Sequence, residues 1–409
     1  MKILHTADWH LGRKLEGRSR HLEQVAVLDE ICGIADQESV DAVLIAGDVF
    51  DTYNPPAESE ALFYETMTRL ADGGRRAVVV LAGNHDSPDR LIASSPYARA
   101  LGISTLGYPK DVPHLYDGGT GRSACVESAP SFVRLRTGGG EILSVLALPY
   151  PSETRLREVL TADIADEEGA VRDYNNRIRG FMSEAARSFL PGEANIIASH
   201  LFIAKGAESE SERQIQVGGA YTVDPMSFPS EAGYVGLGHL HRPQETPGEK
   251  DIPIRYSGSI LQYSFSEEQQ EKSVTIVEFD RGRATHRTVP LGAGRTLECW
   301  TVTGGLEELE QRLADTSPER WLSIRITLDN PLTLETMARI RSQHPGIASW
   351  MTEIRRIDGE SDDYRPIASL PLEEQFRRFV QDRFKEECSE DVVKLLLSLA
   401  GEGGEGESG

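Results

Sequence analysis

Five short segments of the sequence place acidic, amide or imidazole side chains directly after an apolar stretch. These segments are TADWHLG, AGDVFD, AGNHDS, ASHLF and GHLH, and they contain five of the ten histidines of the chain. Residues two apart in a strand point to the same side, so Asp8 with His10, and His239 with His241, can each present two ligands to one pocket. Imidazole, carboxylate and amide donors together suit Mn, Fe or Zn better than a calcium or thiolate site does. The spacing therefore predicts a transition-metal site.

The number of candidate ligands favours two metal ions over one. The candidate set comprises Asp8, His10, Asp48, Asn84, His200, His239 and His241. A usual zinc site has four ligands and an octahedral site has six, so seven are accommodated best by a binuclear site with one bridging carboxylate. Asp48 is our candidate for the bridge. Gly47, Gly83 and Gly238 precede ligands, and glycine permits tight turns and a close backbone approach there.

The elements that must position these groups alternate as in a βαβ protein. We predict strands at residues 2–6, 42–46, 77–81, 142–147, 195–198, 234–237, 254–257 and 273–279, with helices at about 22–37 and 57–71. Such alternation buries a sheet between helices and collects the chemistry at the strand ends. The sequence therefore predicts an α/β fold with its polar site at the ends of the strands.

The pattern changes near residue 291. Residues 293–357 are typical of a small α+β domain with three strands and two helices. Residues 366–400 contain two amphipathic segments, 372–387 and 389–400, whose apolar faces cannot be buried by the pair alone. The tail at 401–409, GEGGEGESG, has the composition of a disordered segment.

Composition limits the possible partners and environment. The chain has 409 residues and a formal net charge of −22, which taken alone argues against a polyanionic partner. Bound divalent cations can, however, invert the sign of a carboxylate-rich cleft. The four cysteines are far apart and no apolar stretch is long enough to span a membrane. We therefore expect a reducing, cytoplasmic location and no membrane association.

A basic loop follows the first motif and has two interpretations. It contains Arg13, Lys14, Arg18 and Arg20. These side chains are candidates to grip DNA phosphates beside the metals, but an ordinary solvated loop has the same composition. Lys205, Arg213, Arg242 and Lys272 are candidates to extend the basic strip.

The ordered motifs D-x-H, G-D-x-x-D, G-N-H-D and G-H-x-H resemble those of the calcineurin-like metallophosphoesterase superfamily over about residues 1–280. Within it, MKILHTADWHLG, GDVFDTYNPP, HLFIAKGAESESER and SGSILQYSFSE resemble the SbcD family of bacterial nuclease subunits, and this likeness extends over almost the whole chain. The resemblance implies a four-layer αββα sandwich at 1–292, a capping α+β domain at 293–357 and a C-terminal helical pair.

The resemblance also implies a role for individual residues. One metal would be held by Asp8, His10, Asp48 and His241, and the other by Asp48, Asn84, His200 and His239. His85 would remain unligated and assist proton transfer to the leaving oxygen, a role that suits an imidazole. We expect Asp86 to orient His85 or a ligand. Some relatives carry histidine in place of Asp51, so here we expect only support of the ligands from this residue.

The implied activity is that of a nuclease with two divalent ions, for which Mn²⁺ is the expected metal, that activate water for hydrolysis of DNA phosphodiesters. It would act as exonuclease and hairpin endonuclease in DNA repair, recombination and replication. An SbcC-type ATPase would bind residues 366–400 and supply part of the DNA surface, in a heterotetramer with an SbcD-type homodimer. A small-molecule phosphoesterase and a noncatalytic scaffold are the alternatives. Residues 293–400 discriminate against the phosphoesterase, because that activity does not require them.

Overall fold

The computed structural model describes residues 1–156, 167–203, 206–207, 222–248, 252–317, 319–355, 373–377, 380, 388–389 and 392–393. The chain divides into two compact units, at 1–353 and 354–409. None of the helices within the described ranges has the length and apolar character that a bilayer crossing requires.

The first part of the larger unit alternates short strands and helices. Its elements are β1 (Lys2–Thr6), β2 (Lys14–Leu15), β3 (Arg18–Ser19), α1 (His21–Gln37), β4 (Ala42–Ala46), α2 (Ala57–Ala71), β5 (Ala77–Leu81), α3 (Pro88–Ala93), α4 (Ser95–Ala98), β6 (Ile103–Leu106), β7 (Tyr116–Asp117), β8 (Ala124–Ala129), β9 (Phe132–Arg136), β10 (Ile142–Leu148), α5 (Glu153–Leu156), α6 (Glu167–Ala185), β11 (Ala194–His200), β12 (Tyr234–Gly238), β13 (Gln244–Glu245), β14 (Ile254–Tyr256), β15 (Ser273–Asp280) and β16 (Arg283–Pro290).

Two large mixed sheets form from these strands. The first has the order β16-β15-β1-β4-β5-β6, in which β1, β4, β5 and β6 run parallel. The second has the order β13-β14-β12-β11-β10-β9-β8-β7, in which β10, β11, β12 and β14 run parallel. In both sheets, parallel central strands bring their carboxyl ends to the same edge.

The central strands are apolar on both faces, which requires cover on both sides. Strand β4, with the sequence AVLIA, is buried throughout. Its Leu44 packs into the core between the two sheets, whereas Val43 and Ile45 pack towards helices α1 and α2. Tyr174 and Ile178 of α6 cover the outer face of the second sheet. The layers therefore follow the order αββα, as the resemblance predicted.

The predicted α+β region contains a third sheet with a core of its own. Its elements are β17 (Leu297–Val302), α7 (Gly305–Ala314), β18 (Trp321–Leu328), α8 (Leu334–Gln343) and β19 (Ile347–Ile354), in the sheet order β17-β18-β19. The indole N–H of Trp321 donates to Glu23 Oε1 at 2.9 Å, and Trp321 also packs on Leu15. This region therefore attaches to the start of α1.

Several elements agree with the sequence prediction and others were missed. Strands β1, β4 and β5 and helix α2 have the predicted bounds. Strands β6 to β9, β13 and β16 and helix α6 were not predicted. The edge strand β16 is mostly exposed and polar, so it lacks the buried face that makes a strand recognisable. The predicted helical pair and tail lie largely outside the described residues, and the boundaries between domains stay predictions.

Candidate metal centre

The candidate ligands follow strands whose carboxyl ends meet where the two sheets face each other. Strand β1 leads into Asp8 and His10, β4 into Asp48, β5 into Asn84 and His85, β11 ends at His200, and β12 leads into His239 and His241. Parallel strands deliver residues that are distant in the sequence to one edge, where loops carry functional groups on a rigid frame. The seven candidate ligands are thereby brought together.

One half of the centre, which we call the His10–His241 half, is formed by His10 and His241. The Nε2 atoms of His10 and His241 lie 3.0 Å apart. His10 Nε2 is also 3.6 Å from Asp48 Oδ2. Two imidazole nitrogens and a carboxylate oxygen therefore converge on one small volume.

The other half, which we call the His200–His239 half, is formed by Asn84, His200 and His239. Asn84 Oδ1 lies 2.8 Å from His200 Nε2 and 3.2 Å from His239 Nδ1. His200 Nε2 is 3.4 Å from Asp48 Oδ2. Because Asp48 Oδ2 is near both His10 and His200, Asp48 lies between the two halves, as a bridging ligand would.

The backbone reaches this arrangement through left-handed conformations. Asp8, His10, Asp48 and His239 have φ values of 53°, 43°, 47° and 108°. Such conformations cost about 1–3 kcal/mol for residues other than glycine and concentrate at functional sites. The prediction that strand periodicity directs Asp8 and His10 to one pocket was therefore wrong in its mechanism, since both residues lie beyond the strand. They reach the same pocket through a strained turn, in which Asp8 accepts the backbone N–H of His239 at 2.9 Å.

Glycine is required at two positions because other chain segments approach closely. A Cβ atom on Gly83 would lie 2.1 Å from Asp48 Oδ1. A Cβ atom on Gly47, whose φ is 90°, would lie 2.4 Å from His200 Nδ1. No other residue type permits these approaches, which agrees with the tight packing expected before the ligands.

Burial and neighbouring charges set the protonation of the ligands. Burial lowers the pKa of His10 and of His239 to about 3, so both rings are neutral at neutral pH and present lone pairs. Burial opposes ionisation of Asp48, but His200 and the other imidazoles outweigh it and hold the pKa of Asp48 well below its usual value. Burial likewise opposes the charged form of His200, yet Asp48 and Asp8 raise the pKa of His200 to about 9. A cation that replaces this proton would release it on binding.

Asp86, which was predicted to support the centre, does so through backbone contacts. It accepts the backbone N–H groups of Val49, Phe50 and Gly83 at 3.1, 2.8 and 2.8 Å, so it ties the Asp48 loop to the Asn84 loop. Burial, followed by the charge of Asp48, raises the pKa of Asp86 to about 6, although the three backbone hydrogen bonds act to lower it.

Asp51 contacts both a ligand and the predicted proton donor. Its backbone carbonyl accepts from His85 Nδ1 at 2.7 Å, and its Oδ1 lies 3.5 Å from His10 Nδ1. The carbonyl bond fixes the tautomer of His85, because Nδ1 must carry the proton. In the neutral ring the lone pair of His85 is then on Nε2.

Two charged residues beside the centre were not among the predicted site residues. Arg155, only 7% exposed, donates to the carbonyl oxygens of Gly83 at 2.6 Å and Asp86 at 2.8 Å, and thus holds the loop that carries Asn84. Glu267, fully buried, lies 3.3 Å from His241 Nδ1. Glu267 falls within the segment SGSILQYSFSE. Glutamate is usually found at the surface, so the sequence alone provides no reason to place this side chain beside the centre. Its full burial, which only the structure shows, is what sets it apart from the other glutamates that the structure describes.

The predicted basic strip is only partly available for DNA. Arg20 is 1% exposed and its guanidinium pairs with Glu23 at 2.6 and 2.8 Å, so the prediction that Arg20 grips phosphates was wrong. Arg18 donates to the carbonyls of Pro345 and Ile347 and thus links the hairpin β2–β3 to the α+β region.

The remaining basic candidates differ in position. Lys14 is exposed, and Arg13 is partly buried with its guanidinium 3.3 Å from Asp51 Oδ1. Lys272 is buried in an ion pair, which rules it out as an extension of the strip. Lys205 and Arg213 lie outside the described residues.

The donors agree with a pair of divalent ions. Four imidazoles, two carboxylates and one amide oxygen converge, and this mixture suits Mn, Fe or Zn. Among the described residues, Asp8, Asp48 and His200 also form a group whose donor atoms lie within 4.8 Å of one another. The residues present therefore fit the two ions that the motifs predict.

Comparisons with known proteins identify the family. Residues 1–243 match the calcineurin-like phosphoesterase family, and residues 294–384 match the type 5 capsule protein repressor C-terminal domain. The SbcD component of the SbcCD nuclease from Bacillus subtilis is 43% identical over 407 residues, 98% of each chain. The SbcD component from Rhodobacter capsulatus is 37% identical over 71% of this chain and 69% of its own, and that from Escherichia coli K12 is 28% identical over 98% and 99%. The chain therefore belongs to the calcineurin-like metallophosphoesterase superfamily and, within it, to the SbcD family.

Proposed function

We propose that the chain is a metal-dependent DNA nuclease subunit that hydrolyses phosphodiester bonds. The observation that carries this proposal is the convergence of six ligand-type side chains around Asp48, with the separate imidazole of His85 beside them. The names of the SbcCD relatives, together with their match along the full chain, favour DNA over a small phosphoester as the substrate.

The centre would hold two divalent ions, for which Mn²⁺ is our proposal. The first would bind Asp8, His10, Asp48 and His241, and the second Asp48, Asn84, His200 and His239. Such ions act as Lewis acids, lower the pKa of water and offset the negative charge that develops on phosphate.

His85 would supply the proton that the leaving alkoxide needs. Its backbone N–H donates to Asp48 Oδ1 at 2.8 Å and its ring Nδ1 to the Asp51 carbonyl at 2.7 Å, so backbone and ring are both held in place. Protonated at Nε2, the ring is a general acid; after proton transfer it is neutral and keeps its bond to Asp51. Asp51 thus orients the acid through its main chain and contacts His10 through its carboxylate.

The partners are proposed on the basis of the family. We propose that an SbcC-type ATPase binds residues 366–400 by helix-in-groove contacts and that the chain forms a homodimer within that complex, in the cytoplasm. Deletion of residues 366–409 should abolish association with the ATPase in a pull-down but leave the metal content unchanged. Association retained after the deletion would place the interface elsewhere.

His85→Gln tests the catalytic part of the proposal. We expect a normal content of Mn²⁺ but strongly reduced cleavage of hairpin DNA and of DNA with blocked ends, because the variant keeps the ligands and loses the acid. His114→Gln, which changes an exposed histidine outside the motifs, is the matched control and should behave as wild type. Loss of metal in His85→Gln would contradict an unligated His85, and faster cleavage of phosphomonoesters than of DNA by wild type would favour a small-molecule phosphoesterase.

A further inference from the structure

A buried pair of opposite charges lies next to the centre in the segment between β14 and β15. Glu267 is fully buried and Lys272 is 6% exposed, and Glu267 Oε2 lies 2.6 Å from Lys272 Nζ. Withdrawing two charges from water costs several kcal/mol per ion, and an apolar pair of similar volume is often as stable or more so. Fold stability is therefore a weak explanation for this pair.

The pair holds His241 at two separate points. Glu267 Oε1 accepts from the ring Nδ1 at 3.3 Å, and Lys272 Nζ donates to the backbone carbonyl of His241 at 2.8 Å. Both the ring and the main chain of this residue are thereby fixed by one ion pair. Hydrogen bonds to charged groups are stronger than those between neutral groups.

The contact with Glu267 determines which nitrogen of His241 faces the centre. A carboxylate at Nδ1 keeps the proton on that atom, so the lone pair lies on Nε2. Nε2 is the atom that lies 3.0 Å from His10 Nε2. Carboxylates in this position orient metal-ligating histidines and increase their basicity. Lys272 occupies the second carboxylate oxygen, so Glu267 is directed to the histidine ring.

We propose that Glu267 and Lys272 form a pair that positions His241. By doing so, the pair sets the affinity of the His10–His241 half for its ion. This inference rests on the dimetal centre of the proposed function and assigns a role to two residues outside the ligand set. Neither residue touches the reacting atoms; both act through His241.

The loop that carries the pair is itself preorganised against the α+β region. The side-chain amide of Gln262 donates to the carbonyls of Glu267, Glu268 and Gln270 at 2.9, 2.9 and 3.0 Å. Gln262 Oε1 accepts from the backbone N–H of Leu297 at 3.3 Å. The loop therefore rests on β17, and the α+β region contributes to the geometry of a metal ligand far from it in sequence.

The test is a titration of the full-length, metal-free protein with Mn²⁺, followed by calorimetry and by the EPR signal of free Mn²⁺. Wild type should bind two equivalents. Glu267→Gln should lower the affinity for one equivalent by about 10- to 100-fold, the usual effect of removing such an outer partner, and leave the other nearly unchanged. Glu271→Gln is the matched control, because this carboxylate lies in the same loop and is exposed.

A second variant keeps the test decisive if Glu267→Gln folds poorly. The double change Glu267→Gln with Lys272→Met removes both charges together and leaves no unpaired ammonium, and it should weaken the same equivalent. Circular dichroism and thermal unfolding without metal establish that each variant is folded.

The outcomes separate this inference from the proposed function. Two equivalents with unchanged affinities in folded Glu267→Gln, or an equal loss in Glu271→Gln, would overturn the positioning role and leave the dimetal centre intact. A wild-type protein that binds no Mn²⁺ would instead overturn the dimetal centre, and with it the proposed function. Selective weakening of one equivalent would support both.

Discussion

The two halves of the centre hold their histidines by different means. In the His10–His241 half, side-chain carboxylates lie behind the rings: Asp51 Oδ1 is 3.5 Å from His10 Nδ1, and Glu267 Oε1 is 3.3 Å from His241 Nδ1. In the His200–His239 half, His200 Nδ1 donates to the backbone carbonyl of Ala46 at 2.9 Å. The nearest partner of the outer ring nitrogen is therefore a carboxylate at His10 and at His241 and a main-chain carbonyl of the sheet at His200, where Asp8 Oδ1 is farther away at 3.8 Å.

These two kinds of partner affect the imidazole ring in different ways. A carboxylate behind a ring makes the imidazole a stronger ligand, whereas a carbonyl mainly orients it. The carbonyl of Ala46 belongs to β4, a central strand buried between layers, so it cannot move without the sheet. Point mutations of the outer carboxylates should thus weaken metal binding in the His10–His241 half. In the other half, metal binding should be weakened mainly by mutations that disturb the loop of Asn84.

Asp48→Ala should produce the largest effect, because this carboxylate lies between the halves. We expect loss of both ions, a larger effect than the cost of about 10- to 100-fold for losing one outer partner. Asp8→Ala should mainly weaken one ion. Elemental analysis of the purified variants measures both. Metal occupancy in Asp48→Ala equal to that of wild type would refute the bridge and the division into halves.

Gly83→Ala should rank second, because the added Cβ would meet Asp48 Oδ1 at 2.1 Å. Overpacking of this kind costs about 1–3 kcal/mol, and here it displaces the bridging carboxylate. We expect lower stability in urea and reduced metal content. Gly33→Ala, in helix α1 with nothing within 4 Å, is the control and should be stabilised by about 0.5–1 kcal/mol. Equal behaviour of the two variants would show that the close approach at Gly83 is unimportant.

Arg155→Met should selectively weaken the His200–His239 half. The change removes the donors to the carbonyls of Gly83 and Asp86 and so loosens the loop of Asn84. We expect DNA cleavage to fall by about 10- to 100-fold, with reduced affinity for one equivalent of Mn²⁺. Arg136→Met, which removes an exposed ion pair with Asp117, is the control. A double variant with Glu267→Gln should weaken both equivalents, and weakening of only one would contradict independent support of the halves.

His5→Gln should have the smallest effect of these variants. It distinguishes a histidine that is buried in the core from one that binds metal. His5 is buried in β1 between the sheets, and its Nδ1 lies 3.0 Å from Tyr234 Oη. Burial, with a smaller contribution from Arg255, lowers the pKa of His5 from 6.5 to about 3. Between these values the unfolded chain binds a proton that the folded chain does not, so stability falls as pH falls, by up to about 1.4 kcal/mol per pH unit.

The measurement is urea unfolding of metal-free protein at pH 7 and pH 5. The variant should lose this part of the pH dependence while it binds Mn²⁺ as wild type does. An unchanged pH dependence would show that His5 is not buried in its neutral form, and weaker metal binding would assign it to the centre.

The convergence of the candidate ligands was predicted from the sequence better than the contacts that support them. Asp48 follows an apolar strand and His200 ends one, and this local pattern is visible because the strand and the polar residue are contiguous in the chain. Glu267 and Arg155 have no such pattern, since their roles depend on contacts with residues distant in sequence. Arg20 shows the converse error, because a basic residue in a basic loop was expected at the surface and instead pairs with Glu23. Burial of charge is a tertiary property and cannot be read from composition.

The fold shows the same limit. Strands β4 and β5 are apolar throughout and were predicted with their correct bounds, whereas β16 is an exposed edge strand whose register depends on pairing with β15. Pairing between distant segments gives no local periodicity, so such strands are recognised only when the neighbouring strand is placed.

Anomalous diffraction from crystals grown with excess Mn²⁺ tests the central claim most directly. We predict two peaks about 3.5–4 Å apart, both in contact with Asp48, one bound also by His10 and His241 and the other by Asn84 and His200. A single peak, or two peaks without Asp48 as a common ligand, would contradict the presence of a bridged dimetal centre.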